Sequence, residues 1–458
     1  MSEPERPAPH VIVLFGANGD LAKRMIYPAL AALGGRERLP EAYALVGTGR
    51  HDVDDYAGVI RESVDDASSD LAERARFQTS DADDGADLAR AVADAEQQVA
   101  DEAGVDVSEV RRIVYLSVPP GSMTDIVAML GREGITERAR LVVEKPFGLD
   151  LDSSRALDRA LKDVVDEDAV FRVDHFLGKE AVQNVLALRF ANRLLATVWN
   201  RENIESVSIE VPETLGLEGR GSFYETVGCL RDMVSTHLSQ ILGFVALEPP
   251  DDLSAESVRD AKAAVFDALR PIAKADAVFG QFDGYRDDDD TDDDSQVETL
   301  VALTAYVDTD RWRDVPFHLR TGKSMADDRR TVTLRFRAPD PALFGDEAAK
   351  PEDLVLDLSD EPRVSIEVRG KRPGPELDVA PATLRLDYAD DFPDDEPLAA
   401  YERILLDVFH GDQLLFARAD EVDRLWQVYG PLLDDPPAVQ TYEPGSWGPT
   451  PPWERDGA

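Results

Sequence analysis

The sequence predicts two domains of different class, an α/β domain at the N-terminus and an α+β domain after it. Three observations predict this: the length of 458 residues, an alternation of apolar runs with helical segments up to residue 174, and closely spaced strand patterns beyond that point. A chain of this length exceeds the usual size of a single hydrophobic core. We therefore expect one domain over residues 1–174 and a second over residues 175–458.

The strands of the first domain are short apolar runs of the buried type, at 10–16, 42–48, 112–118, 141–143 and 169–173. Because strands that alternate with helices form a doubly wound parallel sheet, we expect a Rossmann-type dinucleotide domain. The second domain shows strand patterns with few helices between them, at 204–211, 298–306, 315–320, 331–337, 363–369 and 382–388. This spacing predicts a large, mostly antiparallel sheet. Its helices are expected at 179–192, 224–246, 255–271 and 397–434.

The composition limits the possible partners. The formal net charge is -43, which argues against nucleic acid and against an anionic membrane, since both need a basic surface. No apolar run is long enough to span a bilayer, and residues 1–7 lack the pattern of a secretory signal. The single cysteine, Cys229, excludes an internal disulfide and a multi-cysteine metal site and fits a reducing cytoplasm. The acidic run 287–294 lacks the turn glycine and closing Glu of a calcium loop, so no metal is expected.

Lysine is scarce, with nine lysines among the 49 basic residues. A surface rich in Asp and poor in Lys is typical of a protein that works in molar salt, where self-repulsion is screened. A GC-rich genome would explain the excess of Arg, but it would not explain the charge. Lys145, Lys179 and Lys323 each lie in a short motif, and we expect these retained ammonium groups to have roles that a guanidinium cannot fill.

A glycine turn between the first strand and a helix is the candidate cofactor site. Its residues are Gly16, Asn18, Gly19, Asp20 and Leu21. Gly16 permits the tight turn, and Gly19 allows the backbone to approach a diphosphate at the helix N-terminus. The spacing is a variant of the usual dinucleotide pattern, and a purely structural turn is the alternative.

Two further cations follow strand ends of the first domain. An NAD site normally places Asp or Glu at the end of the second strand, whereas this chain has Arg50, which suits the 2′-phosphate of NADP; NAD remains possible. Lys145 follows the fifth strand in the sequence Glu-Lys-Pro. At the carboxyl end of a parallel sheet its ammonium can reach both the nicotinamide and the substrate.

The segment 171–180, Phe-Arg-Val-Asp-His-Phe-Leu-Gly-Lys-Glu, is the candidate substrate site. If a helix begins near His175, then His175 and Lys179 share one face and can bind a phosphate. Asp174, at the strand end, is placed to orient a histidine from elsewhere in the chain. The alternative is an ordinary surface ion pair. His237 lies in a predicted helix of apolar and small residues; it is either a hydrogen-bonded core residue or a general base.

These motifs together resemble the glucose-6-phosphate dehydrogenase family, over nearly the whole chain. The matching segments are GANGDLAKRMIYPAL (16–30), EKPFG (144–148), FRVDHFLGKEAVQN (171–184), EGRGSFYE (218–225), LRDMVSTHL (230–238), VPFHLRTGKSM (315–325), AYERILLDVFHGDQLLF (400–416) and YEPGSWGP (442–449). Other sugar oxidoreductases carry a segment like EKPFG. The combination of DHFLGKE with RDMVSTHL is specific to this family.

The resemblance implies a reaction, oxidation of glucose 6-phosphate at C1 to the 6-phospho-lactone with NADP, in the oxidative pentose phosphate pathway. It implies that His237 is the base and that Asp174 holds its imidazole. It also implies substrate contacts by the residues His175, Lys179, Lys145, Glu213, Asp232 and Lys323. A cytoplasmic homodimer or homotetramer is expected.

Two positions depart from the family pattern. Phe176 stands where the family commonly has a Tyr that contacts the phosphate, and Asp328 stands where a Lys or Arg is often found. Both changes remove phosphate donors, while His237 and Asp174 are retained. Two alternatives therefore stay open: a related sugar or sugar-phosphate dehydrogenase with another substrate, and a non-catalytic paralogue.

Overall fold

The computed structural model describes residues 6–64, 70–339, 343–344 and 350–455. Residues 1–5, which belong to the segment from which we inferred the lack of a secretory signal, lie outside this part. The chain divides into two compact units, each assembled from three segments. The first unit comprises Met1–Gly178, Leu253–Arg259 and Leu398–Asp423, and the second comprises Lys179–Asp252, Asp260–Pro397 and Arg424–Ala458. Among the described residues, no helix is long and apolar enough to cross a membrane.

The first unit contains a parallel sheet, as predicted. Its described strands are β1 (His10–Phe15), β2 (Tyr43–Gly49), β3 (Ala75–Thr79), β4 (Arg111–Leu116), β5 (Ala139–Glu144) and β6 (Val170–Val173). They are ordered β3-β2-β1-β4-β5-β6, and each neighbouring pair is parallel. Every residue of β1 is buried, as expected for a sheet covered on both faces. The doubly wound fold class is confirmed; β3, whose residues are only half-buried, was not predicted.

Helices connect these strands. They are α1 (Tyr27–Gly35), α2 (Tyr56–Ser63), α3 (Ala86–Ala103), α4 (Pro120–Arg132) and α5 (Leu151–Lys162). A π-helical turn, Ala22–Ile26, leads from the glycine turn into α1. The core of this unit also includes side chains from much later in the sequence, among them Tyr401, Ile404 and Phe416.

The second unit is built on a large sheet that is mostly antiparallel, as predicted. Its described strands are β7 (Ile204–Pro212), β8 (Ala277–Phe282), β9 (Leu300–Tyr306), β10 (Pro316–Gly322), β11 (Thr331–Phe336), β12 (Asp353–Asp357), β13 (Arg363–Lys371), β14 (Val379–Asp387) and β15 (Val439–Tyr442). Their order is β14-β13-β12-β11-β7-β10-β9-β8-β15. Two of the described pairings are parallel, β7 with β10 and β8 with β15. Strands β8, β12 and β15 were not predicted.

The remaining helices are α6 (Glu180–Ala191), α7 (Arg193–Val198), α8 (Gly221–Cys229), α9 (Ser239–Ala246), α10 (Ala255–Asp267), α11 (Tyr388–Asp391), α12 (Ala400–His410) and α13 (Ala419–Asp434). The prediction of helix throughout 397–434 was wrong in one respect. Gly411, with a φ of 78°, caps α12 in the left-handed conformation that ends many helices. A second correction concerns the span between α8 and α9, where residues Leu230–Leu238 are wound as a π-helix.

Candidate active site

The turn after β1 holds the predicted dinucleotide loop. Gly16 has a φ of 71°, and a Cβ atom at this position would lie 2.0 Å from the carbonyl oxygen of Ser117, so a side chain does not fit. The amide of Gly19 donates to the carbonyl of Gly16 over 2.8 Å and closes the turn. Helix begins at Asp20, and Asn18, Gly19 and Asp20 are exposed. The first turn of this helix is therefore accessible to an anion.

The position of the loop within the sheet agrees with a dinucleotide site. Strand β1 lies between β2 and β4, where the strand order reverses, and ligands of open α/β sheets bind at this point. Leu21 packs against the core of the unit and so anchors the helix beneath the exposed loop. An exposed glycine turn at a helix N-terminus fits the diphosphate of a nicotinamide dinucleotide.

Arg50 lies at the same edge of the sheet. It directly follows β2 and is exposed, and the amide of Gly16 donates to the carbonyl of Thr48 over 3.1 Å. The Thr48 hydroxyl is 2.7 Å from that of Ser80, which directly follows β3. Sequence reasoning missed Ser80 because the strand before it carries no strong apolar pattern.

Glu144, the last residue of β5, forms a buried network that was not predicted. Its Oε1 accepts hydrogen bonds from the hydroxyls of Tyr115 at 2.6 Å and Tyr401 at 3.2 Å. Burial raises the pKa of Glu144 to about 7; the nearby Asp174 also raises it, while the two tyrosine bonds and Lys145 oppose this rise. Lys145 follows at the carboxyl end of β5 and is half-buried. Glu144 can therefore change its charge near neutral pH beside Lys145.

Asp174 and His175 follow β6 in the first unit. Asp174 is 1% exposed, and its Oδ1 accepts a 3.0 Å hydrogen bond from the amide of Phe176, which orients the carboxylate. The His175 ring is stacked on Tyr401, with centroids 6.0 Å apart. A buried and oriented carboxylate is suited to hold a histidine ring.

The helix predicted at 179–192 is present as α6, but it does not begin near His175. Residues 175–178 form a turn, and α6 begins only at Glu180. The condition under which His175 and Lys179 would share one helical face is therefore not met. The Asp174 carboxylate accepts from a backbone amide of the turn, which favours a non-helical conformation. Lys179 precedes the helix with a ψ of 133°.

In the second unit, the Lys179 ammonium forms an ion pair with Asp360, with Nζ and Oδ1 2.6 Å apart. The Lys179 side chain is 13% exposed and that of Asp360 is 85% exposed. The hydrogen bond from Lys179 lowers the pKa of Asp360, and the charge of Arg330 lowers it further. One exposed carboxylate is thus paired with Lys179 and also stabilised by the charge of Arg330, and a phosphate would be favoured by the same two charges.

Arg330 lies two residues after the departure at Asp328 and was not predicted as a site residue. Arg329, between them, forms an ion pair with Glu210 at 2.5 Å and lies over the Trp447 ring. Phe176, the other departure, is 6% exposed and packs 5.1 Å from the His175 ring, centroid to centroid. Of the two arginines, Arg330 is the one whose charge lowers the pKa of Asp360.

Lys323 and Glu213 meet because β7 and β10 are parallel neighbours, with Pro212 opposite Gly322. The two residues that follow these strand ends form an ion pair between Nζ of Lys323 and Oε2 of Glu213. The backbone supports this ion pair, since the amide of Glu213 donates to the carbonyl of Gly322 over 2.9 Å. Lys323 is only 5% exposed. The structure therefore brings together two residues that lie 110 positions apart in the sequence.

Asp232 and His237 lie in the π-helical segment Leu230–Leu238. Residues five apart stand about 140° apart around an α-helix with 3.6 residues per turn. The backbone bonds of a π-helix, however, join residues five apart, so this winding places Asp232 and His237 on one face. His237 is 1% exposed, whereas Asp232 is half-buried. A π-helical turn is rare and is frequently found at functional sites.

The first unit, with this strand order and an exposed glycine turn at the reversal point, defines a nicotinamide dinucleotide-binding oxidoreductase domain. Two family models match the chain: the NAD binding domain of glucose-6-phosphate dehydrogenase over residues 13–184 and its C-terminal domain over residues 186–453. The chain belongs to the glucose-6-phosphate dehydrogenase family.

Individual relatives are similar along nearly their whole length. The glucose-6-phosphate 1-dehydrogenase of Mycolicibacterium smegmatis is 36% identical, and the alignment covers 95% of this chain and 94% of the relative. The enzyme of that name from Dictyostelium discoideum is 33% identical over 94% of this chain and 90% of its own. A solved structure of a glucose-6-phosphate dehydrogenase in complex with glucose 6-phosphate has a TM-score of 0.89 and 30% identity, with 99% of this chain and 97% of that chain covered.

Proposed function

We propose that this protein oxidises D-glucose 6-phosphate at C1 to 6-phospho-D-glucono-1,5-lactone with NADP. The observation that carries the proposal is the geometry of the second unit, in which Asp232 and His237 share one face of a π-helix and Glu213 pairs with Lys323. Oxidation of a sugar hydroxyl needs a base for its proton, and a carboxylate and a buried cation can hold the neighbouring hydroxyls by hydrogen bonds. The match to the family over its full length supports the same reaction.

His237 is assigned as the base that accepts the proton of the C1 hydroxyl. A bound nicotinamide would supply the acceptor for the hydride that leaves C1. Asp174 is assigned to orient the imidazole and to stabilise its cation, and its burial and its bond to the Phe176 amide suit this role. A carboxylate that holds the ring keeps one nitrogen free for proton transfer.

The other residues are assigned to binding. Lys179 and His175 would bind the 6-phosphate, and the charge of Arg330 near Asp360 makes Arg330 a further candidate. Asp232, Glu213, Lys323 and Lys145 would contact the sugar. These assignments follow the motif positions of the family.

The cofactor assignment rests on the first unit. Gly16, Asn18, Gly19 and Asp20 would form the diphosphate turn, with Leu21 as its anchor. Arg50 is exposed at the end of β2 and would bind the 2′-phosphate, which favours NADP over NAD. We further infer that the protein is cytoplasmic and that it forms a homodimer or homotetramer. Light scattering on the purified protein would test the oligomeric state.

One assay tests the function. Reduction of NADP and of NAD is followed with glucose 6-phosphate, glucose and glucosamine 6-phosphate, each at low salt and in molar KCl. We expect NADP reduction with glucose 6-phosphate to be the fastest. Preference for another sugar would favour the related dehydrogenase, and no reduction with any of them would favour the non-catalytic paralogue.

A further inference from the structure

We propose that Glu298 and Thr299 are positioning residues, which hold the π-helix of Asp232 and His237 and the strand end of Lys323 in one fixed arrangement. The proposal rests on the proposed function in so far as these three residues contact the substrate. Glu298 and Thr299 stand immediately before β9. They are 8% and 0% exposed.

Glu298 holds the first residue of the π-helix. Its Oε1 accepts a 2.9 Å hydrogen bond from the amide of Leu230, and its backbone carbonyl accepts one of 3.0 Å from the amide of Cys229. Two bonds from a single residue thus fix the beginning of the segment. Because buried amides need an acceptor, removal of this side chain would leave the Leu230 amide without one.

The π-helix needs such an acceptor because the regular helix is interrupted just before it. Gly228 has a φ of 68° and a ψ of 171°, and the side chain of Cys229 makes no capping hydrogen bond. A Cβ atom on Gly228 would lie 2.7 Å from Oε1 of Glu298, so the carboxylate fills the space that the glycine leaves. Glu298 therefore replaces the acceptor that a continuous helix would have supplied.

Thr299 holds the strand end of Lys323. Its carbonyl accepts a 2.9 Å hydrogen bond from the amide of Lys323, and its hydroxyl lies 3.0 Å from the hydroxyl of Tyr442. Tyr442 in turn donates to the carbonyl of Lys323 over 2.6 Å. Both backbone polar groups of Lys323 are thus tied, directly or through Tyr442, to Thr299.

Two adjacent residues therefore determine the positions of both substrate-binding segments. Burial raises the pKa of Glu298, and the bond from the Leu230 amide opposes this rise. Either protonation state keeps an oxygen that can accept from Leu230, so the role depends on hydrogen-bond geometry rather than on charge. A displacement of about 1 Å at a catalytic group can cost about a hundredfold in rate.

The experiment uses the full-length protein and the variants Glu298→Ala and Glu298→Gln. In Glu298→Ala we expect hydrogen exchange in residues 230–238 to accelerate by at least about tenfold, since local opening controls exchange, while residues 322–326, which Thr299 holds, should change less. We expect kcat with glucose 6-phosphate to fall about ten- to a hundredfold. Glu298→Gln, which keeps the acceptor oxygen, should stay within about threefold of the wild type in exchange and in kcat.

Val278→Ala, in the buried strand β8, is the control for a general loss of stability. It should leave kcat unchanged, and it should accelerate exchange in the two segments no more than in the rest of the second unit. Thr299→Val tests the second half of the proposal, whether or not Glu298→Ala folds. It removes the hydroxyl that contacts Tyr442 and accepts from the amide of Phe282, and it should accelerate exchange at 322–326.

Unchanged exchange in Glu298→Ala, or equal damage in Glu298→Gln, would overturn the proposal. If the wild type does not reduce NADP with glucose 6-phosphate, the proposed function fails, while the exchange data still decide whether Glu298 and Thr299 hold the two segments.

Discussion

Replacing Asp360 with Asn should lower KM for glucose 6-phosphate without changing kcat. The Asp360 carboxylate forms an ion pair with the Lys179 ammonium at 2.6 Å, so a phosphate that binds Lys179 must first displace this carboxylate. Ion pairs with an exposed partner contribute about 0.2–1 kcal/mol, and the Asp360 side chain is 85% exposed. A free energy in this range corresponds to an equilibrium constant for the Lys179–Asp360 pair of about 1.4–5. Because a competing pair raises KM by a factor of one plus this constant, removal of the Asp360 charge should lower KM about two- to sixfold.

The assay is initial-rate kinetics at about 0.1 M and about 1 M KCl, where the Debye length is about 10 Å and about 3 Å. Screening weakens the exposed pair, so the advantage of Asp360→Asn should shrink at the higher salt. Asp435→Asn is the matched control, since Asp435 is 77% exposed and pairs with Lys274 at the same distance of 2.6 Å. An unchanged or higher KM in Asp360→Asn would refute the competition between Asp360 and the phosphate.

Four further predictions follow from the same residues and charges. His237→Asn should lower kcat by about 10²–10⁴ with little change in KM, as loss of a general base does; a near-normal kcat would exclude His237 as the base. Arg50→Ala should weaken NADP about ten- to a hundredfold more than NAD, because a charge-assisted bond to the 2′-phosphate is lost; equal losses would exclude this contact. Folding raises the pKa of Glu144 from 4.5 to about 7, so the stabilisation from its neutral form is complete below pH 4.5 and is lost as the pH rises through 7. The Tm of Glu144→Gln relative to the wild type should therefore increase between about pH 5 and pH 8, and a constant difference would contradict the raised pKa. With a net charge of -43, Tm and kcat/KM should both rise between about 0.1 M and 1 M KCl as repulsion is screened, whereas a fall in both would leave genome composition as the simpler cause.

Much of the fold follows from apolar patterns. Strands β1, β4 and β5 lie in a sheet covered on both faces, so each contains a short apolar run, and these runs predicted the strands to within a few residues. Strand β3 was missed because its residues are half-buried. The packing of 398–423 into the first unit depends on contacts with strands more than 200 residues earlier, and no local pattern reports such contacts.

The same distinction applies to the candidate site. Local motifs made Lys179 and His237 candidates, whereas the roles of Glu213, Asp232 and Lys323 were expected from the family resemblance; all five assignments stay predictions. Their partners were not predictable. Glu213 meets Lys323 through a parallel strand pairing, and the common face of Asp232 and His237 depends on π-helical winding, for which side-chain periodicity gives no warning.

The acidic composition also bears on the binding of anionic ligands. Lys179 and Lys323, both singled out by the scarcity of lysine, form ion pairs with carboxylates, Lys179 with Asp360 and Lys323 with Glu213. The two pairs differ in exposure, since Lys323 and Glu213 are 6% and 25% exposed as side chains whereas Asp360 is 85% exposed. Breaking a buried pair leaves a charge without compensation, whereas an exposed pair exchanges its partner at little cost. We therefore infer that Lys323 keeps Glu213 and binds the sugar as part of that pair, while Lys179 exchanges Asp360 for the phosphate.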